Sequence, residues 1–367
     1  MTNADFKLLW LRESFPWMGQ HSGYEQVCNL ISELQQGSYQ SVWMENKPLP
    51  RIAHHLLKPI VAKVKRSGTY NTSSTLVELK ALWHILTSKC DLAHVIYLER
   101  TLGILPKWQE KFSFKLIATA HQPAGLWRMQ RHHPEMLSSL DGLIVLSSKE
   151  VEYFDEYIPG RVHFIPHGVD IEFFCPQTDK VNSTVNRDRD YPRCVFSGIW
   201  LRDLQALAQV IDEVLAREPR IRFDLIVPAD RRENPHFFRI ARHSQVTWYA
   251  GISDAQLRDL YCQASMLVLP LLDCTANNAL LEAIACGLPI VSNDVGGIPD
   301  YTQDSFAKLL PIGDIDGFVE AILRLANDPQ ECVQKGVAAR TFAEQNLRWE
   351  KIAAQTINVY QKVLSAY

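Results

Sequence analysis

Short apolar runs alternate along the chain with stretches whose aliphatic residues recur at helical spacing. The runs span residues 7–11, 92–98, 114–120, 143–146, the first part of 162–170, 193–198, 222–227, 246–251, 266–270 and 290–292. Helical spacing fills 24–34, 204–215, 253–261, 279–286, 315–325 and 331–343, and ends in an amphipathic stretch over 349–363. Runs that are apolar on both faces suit strands covered by helices, and strand-helix alternation predicts parallel sheets.

The most informative stretch is 266–301. An apolar strand enters a polar loop with Thr275, Asn277 and Asn278, and Ala279 to Cys286 then reads as a helix. Asn277 is a good N-cap, Gly287 stands where a left-handed C-terminal cap belongs, and Pro289 stops the helix before the next strand. The backbone N–H groups at the start of such a helix suit a phosphate, and the carboxyl edge of a parallel sheet is where ligands bind. Glu282, four residues after Asn278, shares its face, and an ionised carboxylate there can accept two hydroxyls of a ribose diol. An ordinary crossover helix with a solvent-facing glutamate fits the same spacing.

Asn-Ala-Leu-Leu-Glu-Ala-Ile-Ala-Cys-Gly-Leu-Pro-Ile-Val followed by Asp-Val-Gly-Gly-Ile-Pro-Asp resembles the nucleotide-sugar signature of retaining GT-B glycosyltransferases, specifically glycosyltransferase family 4 of the group 1 type. The resemblance implies two Rossmann-like α/β domains facing a central cleft, with a C-terminal helix crossing back to the first domain. In that family two glutamates flank the loop, the second binding ribose and the first touching the donor sugar. Glu282 matches the second, and Cys274 occupies the position of the first. The implied donor loop comprises Asp273, Cys274, Thr275, Ala276, Asn277 and Asn278. If a thiol replaces the carboxylate, donor recognition should differ, or Asp273 should supply the missing acceptor.

The remaining family features fall in chain order. Ser22-Gly23 resembles the glycine loop that approaches the donor pyrophosphate, and Thr119-Ala-His121 resembles the strand-end histidine that contacts the donor sugar, which makes His121 the implied catalytic residue. The turn at 167–170 resembles the one closing the first domain. The family commonly places an arginine and a lysine after the glycine at 198; here Ile199 and Trp200 follow, and Arg202 is the first cation available for the diphosphate. The expected layout is therefore a first domain over 1–170, a polar linker over 171–192, a nucleotide-sugar domain over 193–348 and a returning helix over 349–367.

Composition limits the alternatives. With 367 residues and 47% hydrophobic content, two cores can form. A net charge of −3 implies no global attraction to nucleic acid. Residues 50–82 nevertheless read as a basic amphipathic segment, with Arg51, His54, His55, Lys58, Lys63, Lys65 and Arg66 among aliphatics; it is either a solvated face or a docking surface for an anionic or lipid-linked acceptor. The eight cysteines form no C-x-x-C pair, which fits reduced thiols in the cytosol. Neither a leader nor an apolar run long enough to span a membrane is evident, so the expectation is a cytoplasmic protein, with contact at the inner membrane face through 51–66 left open. His132-His133 reads as surface. No Asp-x-Asp stands where it would bridge a diphosphate to a metal, so no metal and no cofactor is expected. The partners implied are a nucleotide-sugar donor and a glycan, lipid-linked or small-molecule acceptor, without nucleic acid. A second class stays in view, a GT-B binding or partner subunit that has lost turnover, since Cys274 and Ile199 replace polar groups of the family pattern; a GT-B epimerase or phosphorylase fits the central segment less well.

Overall fold

The computed structural model describes residues 6–365 apart from 14, 16–17, 35–36, 45–49, 65–68, 130–133 and 177–190. The His132-His133 pair, the charged stretch 187–190, Lys65 and Arg66 lie outside the described residues. The chain forms two compact units. Unit 1 holds residues 1–18, 23–167 and 349–367; unit 2 holds 19–22 and 168–348.

Unit 1 is built on strands β1 (Lys7–Glu13), β2 (Ser38–Met44), β3 (Leu92–Val95), β4 (Lys115–Ala120), β5 (Gly142–Val145) and β6 (Val162–Phe164), in the order β2-β1-β3-β4-β5-β6. Unit 2 uses β7 (Arg193–Ser197), β8 (Arg222–Ile226), β9 (Val246–Tyr249), β10 (Met266–Leu269), β11 (Ile290–Asn293) and β12 (Ala307–Leu310), in the order β12-β11-β10-β7-β8-β9. Every pairing is parallel. Strand order therefore reverses between β1 and β3 in unit 1 and between β7 and β10 in unit 2, and ligands of doubly wound sheets bind outside the carboxyl ends of the strands at such reversals.

The strands read from apolar runs are present, the second ending at Val95, ahead of a short 3-10 turn at Leu98–Arg100. Two strands escaped that reading, β2 and β12, and each is the edge of its sheet. An edge strand has one neighbour and part of its surface meets solvent, so polar residues such as Ser38, Gln40, Ser41 and Lys308 interrupt the apolar signal. Residues 50–82 also differ from the single segment expected. They form two helices, Arg51–Val64 and Thr72–Ser88, the second capped by Asn71, whose side chain accepts from Ser73 and Ser74 N–H. Within the first helix only Val64 is buried, and Ile52 and Leu56 are exposed.

Ile171 and Phe174 belong to the core of unit 2, so the polar linker expected from 171 begins later; 177–190 lie outside the described residues. The helix Trp349–Ser365 belongs to unit 1 and buries Trp349, Ile352, Ala353, Thr356, Val359, Tyr360 and Val363, the stripe its spacing predicts. Tyr360 Oη accepts from Trp10 Nε1 at 3.2 Å and bonds His94 Nδ1 at 2.6 Å, while His94 Nε2 meets Thr119 Oγ1 at 2.8 Å. Among the described residues no helix is long and apolar enough to cross a membrane.

Candidate active site

At the strand-order reversal of unit 2, the loops after β7 and β10 are tied together by backbone. Asp203 N donates to Pro270 O and Leu272 N to Leu201 O, both at 3.0 Å, and Arg202 bridges Leu271 in antiparallel fashion. The turn that makes this possible places Gly198 at φ +86° and Leu201 at φ +56°. A leucine in the left-handed region is strained, and such strain concentrates where a backbone is held for function.

This turn aims Arg202 across the β7–β10 boundary. Nε donates to Ser197 O and Nη1 to Trp200 O, each at 3.0 Å, and Nη2 donates to Asn277 Oδ1 at 3.2 Å. Asn277 is the N-cap of the helix Asn278–Ala285, its Oδ1 also accepting from Leu280 N. A guanidinium and a helix N-terminus thus share one cap, and both present positive potential. The helix ends as its sequence requires, with Gly287 left-handed at φ +75°.

Glu282 lies one turn into this helix and is buried, not solvent-facing. Its Oε1 accepts from Ser22 Oγ at 2.5 Å and its Oε2 from Tyr261 Oη at 3.1 Å. Burial pushes its pKa up to about 7 against the opposing pull of those two hydroxyls, with Asp254 raising it further. A carboxyl already holding two hydroxyl donors is arranged as a ribose diol would require.

The loop 19–22 belongs to the same unit. Asp254 accepts from Gln20 N at 2.7 Å and His21 N at 3.2 Å, and the His21 ring stacks on Phe173 while Nδ1 bonds Asp170 at 2.7 Å. A side chain at Gly19 would collide with Asp254, its Cβ only 1.8 Å from Oδ1. Gly23, in unit 1, is at φ +101°.

Two donor-loop residues behave differently from expectation. Asp273 Oδ1 accepts from Cys274 N at 2.7 Å, so the carboxylate proposed to replace the missing glutamate is engaged in its own turn. Cys274 is buried within the unit 2 core, as a small apolar side chain would be. Its carbonyl accepts from Gly297 N at 2.8 Å and leaves no room for a side chain at Gly296. Thr275 is buried beside it, and Ala276 and Asn278 are half-buried.

In unit 1, His121 follows β4. Its Nε2 bonds Ile96 O at 2.8 Å, so the proton sits on Nε2, and the ring stacks on Tyr97 with centroids 4.4 Å apart. Burial, helped by His167, lowers its pKa to about 3 against the Ile96 hydrogen bond, leaving a neutral imidazole. The backbone here is held by acids: Glu99 Oε1 accepts from His121 N at 2.6 Å and Gln122 N at 2.7 Å, and Glu150 Oε2 accepts from Ala124 N at 2.6 Å.

Unit 2 thus contains Ser22, Arg202, Asp273 through Asn278 and Glu282, while Gly23 and His121 belong to unit 1. Sequence reading missed Tyr261, Asp254 and Glu99. Asp254 carried a signal, an acid in the first turn after the capping serine; Tyr261 and Glu99 carried none that separates them from core residues.

Residues 192–328 match the family described as glycosyl transferases group 1. The chain is 24% identical over 356 residues, 84% of each protein, to an MMP alpha-(1->4)-mannosyltransferase of Mycolicibacterium hassiacum. It is 30% identical over 255 residues, 64% of this chain and 55% of the relative, to a D-inositol 3-phosphate glycosyltransferase of Streptomyces bingchenggensis. Among solved structures, the sucrose-phosphate synthase of Thermosynechococcus elongatus matches with TM-score 0.72 at 19% identity, covering 98% of this chain and all of that one. Anabaena HepE in complex with UDP and glucose matches with TM-score 0.70 at 14% identity, covering 97% of this chain and all of that one. With the two parallel α/β sheets and the site above, these likenesses identify the fold as GT-B, residues 192–328 as a group 1 glycosyltransferase domain, and the chain as an enzyme similar to glycosyltransferases.

Proposed function

We propose that this glycosyltransferase moves a hexosyl group from a nucleoside-diphosphate sugar to an acceptor hydroxyl with retention of anomeric configuration and without a metal. The observation that carries the reading is the shared cap at the β7–β10 reversal, where Arg202 and the helix N-terminus meet at Asn277 and Glu282 follows one turn on. The diphosphate lies against the guanidinium and free N–H groups, which stabilise the negative charge that develops as it leaves. Glu282 takes the ribose hydroxyls in place of Ser22 and Tyr261. His121, neutral and with its proton on Nε2, offers Nδ1 as an acceptor to a sugar hydroxyl. The departing phosphate oxygen takes the acceptor's proton as the new glycosidic bond forms on the same face.

The relatives' names span mannosyl transfer, inositol phosphate and a GDP-mannose-dependent enzyme of Corynebacterium glutamicum, and Anabaena HepE is solved with UDP, so uridine and guanosine diphosphate sugars are the first donors to test. The helix Arg51–Val64, basic with exposed Ile52 and Leu56, suits contact between a cytoplasmic protein and an anionic membrane face that carries the acceptor. The decisive experiment incubates the chain with a donor panel in excess chelator, and follows sugar release and product configuration by NMR. Retained configuration with undiminished rate supports the reading. Nucleotide binding without release from any donor would make the chain a binding subunit, and loss of binding on chelation would overturn the metal-free reading.

A further inference from the structure

Glu282 is only 4% exposed, so a ribose reaches its carboxyl only where something covering it gives way. Two hydroxyls stand on that carboxyl, and they are held differently. Tyr261 is fully buried in the unit 2 core, on the helix Asp254–Gln263. Ser22 is half-buried and lies in the loop 19–22, outside any helix or strand. The hydroxyl that can move away is therefore that of Ser22, and the loop goes with it. Three carboxylates of unit 2 fasten these four residues. Gln20 N and His21 N donate to Asp254 Oδ2, His21 Nδ1 meets Asp170 Oδ2, and Ser22 Oγ donates to Glu282 Oε1 at 2.5 Å. Asp170 is itself set in place, its Oδ1 accepting from Phe173 N at 3.0 Å, and the Phe173 ring lies 3.6 Å from the imidazole it stacks on, with Arg258 over it at 5.0 Å. The last residue of the loop thus fills the hydrogen-bond place that a ribose hydroxyl needs.

We propose that residues 19–22 form a strap that closes the Glu282 carboxyl in the nucleotide-free chain and opens when the ribose of a nucleoside diphosphate takes the place of the Ser22 hydroxyl. The inference rests on the ribose reading of Glu282 and adds a competitor to it. Because the strap is an internal ligand for the same carboxyl, the apparent nucleotide affinity is the intrinsic one scaled by the fraction of chains whose strap is open. The anchors at Asp170 and Asp254 set that fraction. The device has a distinctive sign: removing a hydrogen bond from the strap tightens nucleotide binding, whereas removing a ligand of the nucleotide weakens it.

The test measures the affinity of the full chain for UDP, GDP and ADP by calorimetry in Ser22→Ala, Gly19→Ala and Glu282→Ala, and follows amide hydrogen exchange by mass spectrometry in peptides spanning Gln20 and His21. Ser22→Ala removes the competing hydroxyl. Gly19→Ala puts a Cβ 1.8 Å from Asp254 Oδ1, so either the loop or the carboxylate must shift and the anchor is lost. Neither change alters a charge, so tighter binding in them cannot come from electrostatic attraction. The expected result is binding about three- to tenfold tighter in both, the span of one hydrogen bond's net contribution, with weaker binding in Glu282→Ala and faster exchange at Gln20 and His21 once nucleotide is bound. Unchanged or weaker binding in either strap variant beside a weakened Glu282→Ala, or amides that stay slow with nucleotide bound, would overturn the strap and leave the ribose reading standing. An unaffected Glu282→Ala would overturn the ribose reading and the competition with it, and no binding of any of the three nucleotides would overturn both.

Discussion

The loops after β4 and β10 both lead from the carboxyl end of a parallel strand into a helix, and they meet the same electrostatic demand in opposite ways. After β4 the backbone N–H groups are met by the protein's own buried carboxyls, with Glu99 taking His121 and Gln122 and Glu150 taking Ala124. After β10 the cap is a neutral asparagine, and a guanidinium donates to it. The first junction meets its N–H groups with side-chain carboxyls and becomes a fixed platform for an imidazole; the second keeps its positive potential. Two similar sheets can thus carry different duties because of which side chain sits at a helix start, not because of their topology.

The largest effect should come from the cationic junction. Hydrogen bonds to charged groups contribute about 1.5–3 kcal/mol, so Arg202→Ala or Glu282→Ala should weaken nucleoside diphosphate binding by about one to two decades. Glu99→Gln should leave that affinity unchanged, and calorimetry showing the reverse ranking would break the comparison. The next effect concerns pH. Ribose hydroxyls donate to an ionised carboxylate, so nucleotide affinity should rise as pH passes through the value near 7 to which Glu282 is raised, and Glu282→Gln should flatten that profile. The same shift makes a separate claim on stability. Folded Glu282 binds a proton that the unfolded chain releases above the ordinary value of 4.5, so its contribution favours the fold at low pH and is lost as pH rises from about 4.5 to about 7.

His121→Ala should reduce turnover with little change in nucleoside diphosphate affinity, because its proposed partner is the sugar; undiminished transfer would make the imidazole purely structural. The smallest effect belongs to Cys274→Ala, which removes a buried sulfur from the unit 2 core. It should lower the melting temperature by a few degrees, about what losing 1 kcal/mol produces, and leave donor preference alone. A shifted donor preference would instead place the thiol against the sugar.

Much of this was legible in the chain. The 266–301 stretch declared its strand, cap, helix and left-handed glycine through local rules, and the terminal helix declared its buried stripe, because both depend on spacing within one element. What stayed hidden depends on partners far along the chain. Nothing in Tyr261 or Ser22 announces that both hydroxyls converge on Glu282, separated from them by 21 and 260 residues. The resemblance offered Asp273 as the acceptor in place of the missing glutamate, yet its own backbone turn engages Oδ1. The edge strands β2 and β12 were lost for a different reason, their half-wet faces carrying too little apolar contrast.

The helix Trp349–Ser365 has a consequence for synthesis. Unit 1 begins with the first strand made, yet the hydroxyl that satisfies Trp10 and His94 belongs to Tyr360, 350 residues after that tryptophan. A chain emerging from the ribosome therefore completes all of unit 2 while unit 1 still lacks one wall of its core. The unit started first is finished last, and the interval is spent with Trp10 and His94 awaiting their partner. Shortening the chain before residue 349 should accordingly spare unit 2 and undo the unit that folds around β1.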